Sequence, residues 1–282
     1  MKTYIKLLFI FLLVPFSVMA QDEEVKEKKV KEKVERPAFE SSFIIDNPTN
    51  VLYSKNTLEV QMSHRFGLIT GGDNDLAGIW APSNIHIGAS YAVHERLTLG
   101  SGITKFDRLL DLNWKVAVLR QTRSNKMPVS VSYFGNWVTD SRPKENFRHT
   151  SDRYSFFHTI IIARKFGPLI SLQVAPSWSH YNVVAKTMRN DMIAVAVGGR
   201  IKISDQTALM FDYTQPITKF IEDNPNPGLS VGVEFSTSAH AFQLLIGNYN
   251  GIIPQKNIMF NQNDYFNGDV LIGFNITRLY NF

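Results

Sequence analysis

Residues 269–282 read DVLIGFNITRLYNF. Val270, Ile272, Phe274, Ile276, Tyr280 and Phe282 share one parity, interrupted only by Arg278, while Gly273, Asn275, Thr277 and Asn281 fall on the other. Successive side chains of extended backbone point to opposite sides, so this alternation predicts a strand with one apolar and one small or polar face. A lone two-faced strand is not stable, and its partners have to lie upstream.

They begin at Thr57. Leu58, Val60, Met62, His64 and Phe66 alternate with Glu59, Gln61, Ser63 and Arg65, with His64 as the one parity defect. Next, Ile85, Ile87, Ala89, Tyr91 and Val93 oppose Asn84, His86, Gly88 and Ser90. Leu97, Leu99 and Ile103 then oppose Arg96, Thr98, Gly100, Gly102 and Thr104. Further strands are expected at 111–119, 128–138, 156–165, 169–178, 191–203, 206–215, 228–236, 240–249 and 269–282, giving twelve within two. The weakest is 156–165, because Ile160, Ile161 and Ile162 blur its parity.

Each run is near ten residues. At about 3.4 Å per residue and a tilt of about 40°, a run covers roughly 26 Å, the height of a transmembrane barrel's apolar band. The mean hydropathy of −0.11 fits, since only alternate residues of a barrel strand meet lipid. The connections near 67–83, 139–155, 179–190, 216–227 and 250–268 are long, and the intervening ones are mostly tight turns. That asymmetry is expected of an all-β, single up-and-down antiparallel barrel with short periplasmic turns and long outer loops. Small inward residues, Gly100, Gly102, Ala194, Ala196, Gly198 and Gly232, allow its walls to curve. Trp114, Tyr133, Trp137, Trp178, Tyr213 and Tyr280 fall on outward parity or near strand ends, where aromatic girdles lie.

Ahead of the barrel (57–282), three segments are expected. Residues 1–20 read as a secretory leader, with Lys2 and Lys6, an apolar stretch from Leu7 to Val14, and Val18-Met19-Ala20 before the cut. Residues 21–36 are a charged, disordered tether without aromatics, and residues 37–56 cap or partly plug the barrel. With no cysteine there is neither a disulfide framework nor a lipidated cysteine anchor. The whole chain holds 30 Lys and Arg against 25 Asp and Glu. Lys2 and Lys6 leave with the leader and residues 21–36 carry six of each sign, so 22 bases remain against 19 acids. That balance is no nucleic-acid footprint.

The closing strand, ending on Phe282, resembles the terminal strand of a Gram-negative outer-membrane β-barrel. In it Phe274, Ile276, Tyr280 and Phe282 look like the signal read by the barrel assembly machinery. The rest of the chain is similar to a domain-of-unknown-function group of outer-membrane barrels. The likeness is carried by Phe39-Glu40-Ser41, Ile45-Asp46-Asn47, Leu58-Glu59, His64-Arg65-Phe66-Gly67 and Asp75-Leu76-Ala77-Gly78. Residues 84–88, Thr104-Lys105 and Asp111-Leu112-Asn113 continue it. The resemblance implies a barrel, an outer-membrane location and outer-membrane lipid as surroundings, and supplies no catalytic or binding residue.

Seven charged residues on inward parity are the candidate lumen lining: Glu59, Arg65, Arg96, Lys115, Arg200, Asp212 and Glu234. On the lipid face at mid-depth an Arg or Lys costs about 2–4 kcal/mol, which directs these side chains inward. They serve either as a selectivity lining or as salt bridges filling a closed interior. The seven His residues show no metal-ligand spacing, and no cofactor is expected. Gly71-Gly72-Asp73-Asn74-Asp75 gathers oxygen ligands without an EF-hand layout and reads as a flexible acidic turn. Ser238 and His240 form the one i, i+2 Ser-to-His pair, at a periplasmic turn and so at the wrong end for outer-leaflet lipid hydrolysis. The expectation is a monomeric, non-enzymatic barrel for passive passage or for ligand capture at the outer surface. The alternative is a non-conducting barrel that anchors a periplasmic or surface partner, with a lipid-modifying enzyme a distant third.

Overall fold

The computed structural model describes residues 32–282 except Gly72, and leaves the Asp73 side chain undescribed. The expected leader and most of the tether lie outside the described residues. A two-residue-turn hairpin, β1 (Phe43–Ile44) and β2 (Asn47–Pro48), comes first. Twelve strands follow: β3 (Thr57–Leu68), β4 (Asn84–His94), β5 (Leu97–Thr104), β6 (Leu109–Leu119), β7 (Ser130–Asp140) and β8 (Tyr154–Phe166). The remainder are β9 (Ile170–Tyr181), β10 (Asp191–Lys202), β11 (Thr207–Pro216), β12 (Gly228–Ser236), β13 (His240–Gly247) and β14 (Leu271–Asn281). Each is antiparallel to its sequence neighbour, and β14 pairs with β3, for instance Tyr280 with Leu58 and Phe274 with His64, closing the barrel. Closure satisfies every strand edge, which a sheet in lipid requires.

The final strand starts at Leu271 rather than at residue 269, with Val270 in the preceding turn and an irregularity between Leu271 and Gly273. Its parity is as read: Gly273, Asn275 and Thr277 are buried, while Arg278 and Tyr280 are exposed on the outer face. Arg278 rests its guanidinium 4.9 Å from the Tyr280 ring centroid, at the short-turn end, where a long basic side chain reaches the interface. The blurred strand β8 also has a physical reason. Ile160 and Ile162 face outward, but Ile161 points into an interior that is itself apolar there. His64 lies on the outer face, stacked on Phe274 at 5.1 Å. Two of the outward aromatics meet on one histidine. Tyr133 Oη and His158 Nδ1 are 2.6 Å apart, and Trp178 stacks on His158 at 5.3 Å.

The barrel is filled from both ends. Residues 38–51 run inside it from the short-turn end, with Phe39, Ile44, Ile45, Asp46, Asn47 and Thr49 all buried. From the long-loop end, the connection between β13 and β14 carries a short helix, α1 (Pro254–Phe260), whose Ile258 and Met259 are buried. These pack with Phe134, Phe157, Ile161 and Met192 of the wall, and Phe43 of the hairpin joins the same cluster. Just before the buried segment, Glu35 N–H donates to Gln121 C=O (2.8 Å) and Val34 bridges to Thr122. Residues 33–35 of the expected 21–36 tether are therefore paired, because the backbone of the β6–β7 connection offers them hydrogen bonds.

Candidate functional site

The interior segment, here called the plug, turns at Ile45-Asp46, between β1 and β2. Ile45 adopts φ 52°, a left-handed conformation costly for a β-branched residue and kept only where the surroundings enforce it. The surroundings here are polar groups of the wall. Ile45 C=O accepts from Asn275 Nδ2 (2.9 Å) and Arg65 Nη2 (3.3 Å). Arg65, fully buried, also pairs with the Asp46 carboxylate at 2.9 Å and donates to Asn275 Oδ1. The other Asp46 oxygen accepts from Ser230 Oγ at 2.7 Å.

On the neighbouring strand, opposite Ser230 in register, one oxygen of Asp212 accepts both Asp46 N–H and Asn47 N–H at 3.0 Å. Its second oxygen takes Asn47 Nδ2 at 2.9 Å, and the same amide reaches Thr214 Oγ1. Lys115 donates to Ser42 C=O and Val51 C=O, and Gln173 donates to Pro48 C=O. Glu234 is bonded by Arg200 Nε (2.7 Å), by Gln243 Nε2 and by Ser41 Oγ. Arg200 also approaches Glu40 at 3.8 Å, and Glu59 accepts from Tyr53 Oη at 2.8 Å. Burial, with Glu59 beside it, pushes the Tyr53 phenol well above its ordinary range, so it remains the donor.

Six of the seven expected lumen residues, Glu59, Arg65, Lys115, Arg200, Asp212 and Glu234, are thus buried in the interior, and each contacts residues 40–53. The seventh is a correction. Arg96 keeps inward parity but lies in the turn before β5, exposed, donating to the carbonyls of Ala117 and Val118. It lies beyond the last residue whose side chain the wall encloses. Neutral wall groups missed by a search for charges, Asn275, Gln243, Gln173, Thr214 and Ser230, add six hydrogen bonds to the plug. Their only sequence signal was inward parity.

Of the other candidates, His86 faces Asp111 in the interior at 2.9 Å. Ser238 and His240 are both exposed at the β12–β13 turn, where the His240 backbone binds Thr237. The acidic turn at 71–75 falls partly outside the described residues. Among the described residues no group of three or more His, Cys, Asp or Glu is placed to hold a metal ion.

The long-loop mouth has its own ionic chain. Lys256 of α1 meets Asp107 at 2.8 Å, Asp107 meets Arg142 at 3.2 Å, and Arg142 meets Asp140 at 2.6 Å. This chain pins the helix across the loops that follow β5 and β7. A cleft of about 520 Å³ lies beside it, between Arg148, Arg153, Tyr181, Val184 and Phe260.

The barrel is similar to that of the NanC porin (7% identity, TM-score 0.50, covering 80% of this chain and 99% of that one). It is likewise similar to an outer-membrane channel from Pseudomonas putida F1 (10% identity, TM-score 0.50, covering 82% and 97%). At such identities the likeness is one of fold. No curated protein matches the sequence. A family model does, and it begins at Phe39, within the plug, so plug and wall fall inside one domain. Matched over residues 39–280, the chain belongs to the family of the membrane-bound β-barrel domain, DUF5777.

Proposed function

We propose that this protein is an outer-membrane channel whose closed state is held by residues 38–53, docked on the charged wall of the lumen. One observation carries the reading: six inward charged residues direct polar groups to a segment that is not part of the wall and whose chain leaves at the short-turn end. With the segment displaced, the same residues become a charge-bearing, water-filled lining that selects solutes. The loops at the opposite mouth, with their cleft, are where a solute is first captured. The protein works as a monomer in outer-membrane lipid, exported by its leader and inserted by the assembly machinery through Phe274, Ile276, Tyr280 and Phe282. It carries out no chemical step.

Conductance in planar bilayers tests this. The intact chain is expected to be mostly silent, and a chain lacking residues 38–53, shown by heat-modifiability to fold, is expected to give discrete current steps. A folded but silent deletion would sink the channel.

The packing of α1 against the same apolar cluster as Phe43 favours a second reading, a permanently closed barrel. In that case residues 21–36 would be the attachment point for a periplasmic partner. Pull-downs with and without residues 21–56 that return identical partners would argue against it.

A further inference from the structure

Beside the plug, at the short-turn end, the barrel opens into a cavity of about 400 Å³. Arg36, Lys165, Arg200 and Lys202 line it with His240 at the rim, and Glu40 is the one carboxylate among the lining residues. The cations are placed there by register. Lys165 of β8 and Arg200 of β10 are both cross-strand partners of Ser171 on β9, so the three form one row across the wall. Lys202 lies one inward step further toward the mouth. Their parity turns them to the lumen, not to lipid, so headgroup contact does not account for them.

Each of the three wall cations already has a carboxylate within 4 Å, but the lysine pairs are loose or face solvent. Arg200 is bound through Nε to Glu234, with its Nη2 3.8 Å from Glu40. Lys202 is 3.2 Å from Asp205, an exposed residue, and Lys165 is 4.0 Å from Glu35. The Lys202 and Lys165 pairs, open to solvent, are worth at most about 1 kcal/mol and yield to a better ligand, whereas the buried Arg200–Glu234 pair stays in place. Turned from Glu35 and Asp205, the two lysines join Arg36 at the wall of a concave cleft, where like charges focus a positive potential on an entering anion. Arg and Lys together offer both bidentate and point-charge donors to oxyanions.

We propose that this cavity binds a small multivalent oxyanion, of the class of pyrophosphate, phosphate esters and polycarboxylates, entering from the short-turn end. Lys165, Arg200 and Ser171 form its inner row of donors, and Lys202 and Arg36 close over it. The assignment does not depend on whether the barrel conducts. An anion here also competes with Glu40, next to the plug's first buried side chains, for Arg200.

Calorimetric titration of pyrophosphate into the intact chain, in a non-ionic detergent, tests the proposal. Saturable one-to-one binding is expected, weaker at higher salt. Binding should fall by about tenfold or more in the Lys165→Gln/Lys202→Gln double variant. Lys186→Gln, in a loop at the opposite end, should leave it unchanged. Heat-modifiability checks that each variant folds, and Lys202→Glu alone gives a second reading if the double variant does not. Absence of saturable binding overturns the proposal, as does an affinity that a folded Lys202 variant leaves untouched. A silent plug deletion in bilayers, by contrast, leaves it standing.

Discussion

Asp212 on the wall and Asp46 in the plug meet through a backbone hydrogen bond: the Asp212 carboxylate accepts Asp46 N–H at 3.0 Å. Two carboxylates are thereby held in one neighbourhood, each with its own donors. Arg65 and Ser230 serve Asp46, while the amides of residues 46 and 47 serve Asp212.

Asp212→Ala should therefore loosen the turn without dismantling the barrel. It leaves the Asp46 and Asn47 amides buried without acceptors, at about 1–3 kcal/mol each. Hydrogen exchange at these two amides is expected to rise roughly tenfold to a hundredfold. Asp212→Asn, which keeps one carbonyl oxygen, should fall between. Equal protection in all three proteins would show that the plug is held elsewhere.

Arg65 and Asp46 should behave as a coupled pair. Arg65→Met strands a buried carboxylate, at a cost of about 3–5 kcal/mol. Adding Asp46→Leu removes the stranded charge, so the double variant should be less destabilised than the sum of the singles. Denaturant unfolding in lipid vesicles supplies the three values, and strict additivity would contradict the pairing.

The ionic chain at the long-loop mouth predicts a pH response of α1. Burial alone would raise the Asp107 carboxyl, but the hydrogen bond and charge of Lys256, with Arg142, outweigh it and hold the group below its ordinary value. A depressed carboxyl contributes stability above its unfolded value, near about 3.9, and loses that contribution as pH falls through the folded one. The helix should thus be fully latched at neutral pH and loosen only in acid, below about pH 4. Exchange at the α1 amides between pH 6 and pH 3 checks this, and Lys256→Gln should flatten the response.

Gly102 tests how tightly the interior is filled. A Cβ there would lie 2.2 Å from His86 Nε2 and 2.8 Å from Asp111 Oδ2. Gly102→Ala should push these side chains apart and cost about 1–3 kcal/mol. An unchanged unfolding midpoint would mean that the lumen has room to spare on this side.

The sequence by itself determined the wall. Strand number, the inward placement of Asp212 and Glu234, and the unequal loops all follow from period two and turn chemistry, which are local properties of extended backbone. Even the difficult Arg278 obeys that parity. What an inward charge bonds to is not local. Arg65 is 19 residues from Asp46, but Asp212 is 166 away, and parity is equally compatible with water or protein as the partner. Residues 37–56 read as a cap or a plug, and only the tertiary structure decided that residues 38–51 occupy the lumen, that α1 enters from the other end, and that Arg96 lies outside. Strand pairing had first to close the barrel to a particular radius. The polar groups it enclosed then needed partners, because a buried charge without one is too costly to keep. The closing strand DVLIGFNITRLYNF shows both levels: its alternation is written in the chain, but the bond from Asn275 to the Ile45 carbonyl exists only because the ring is closed.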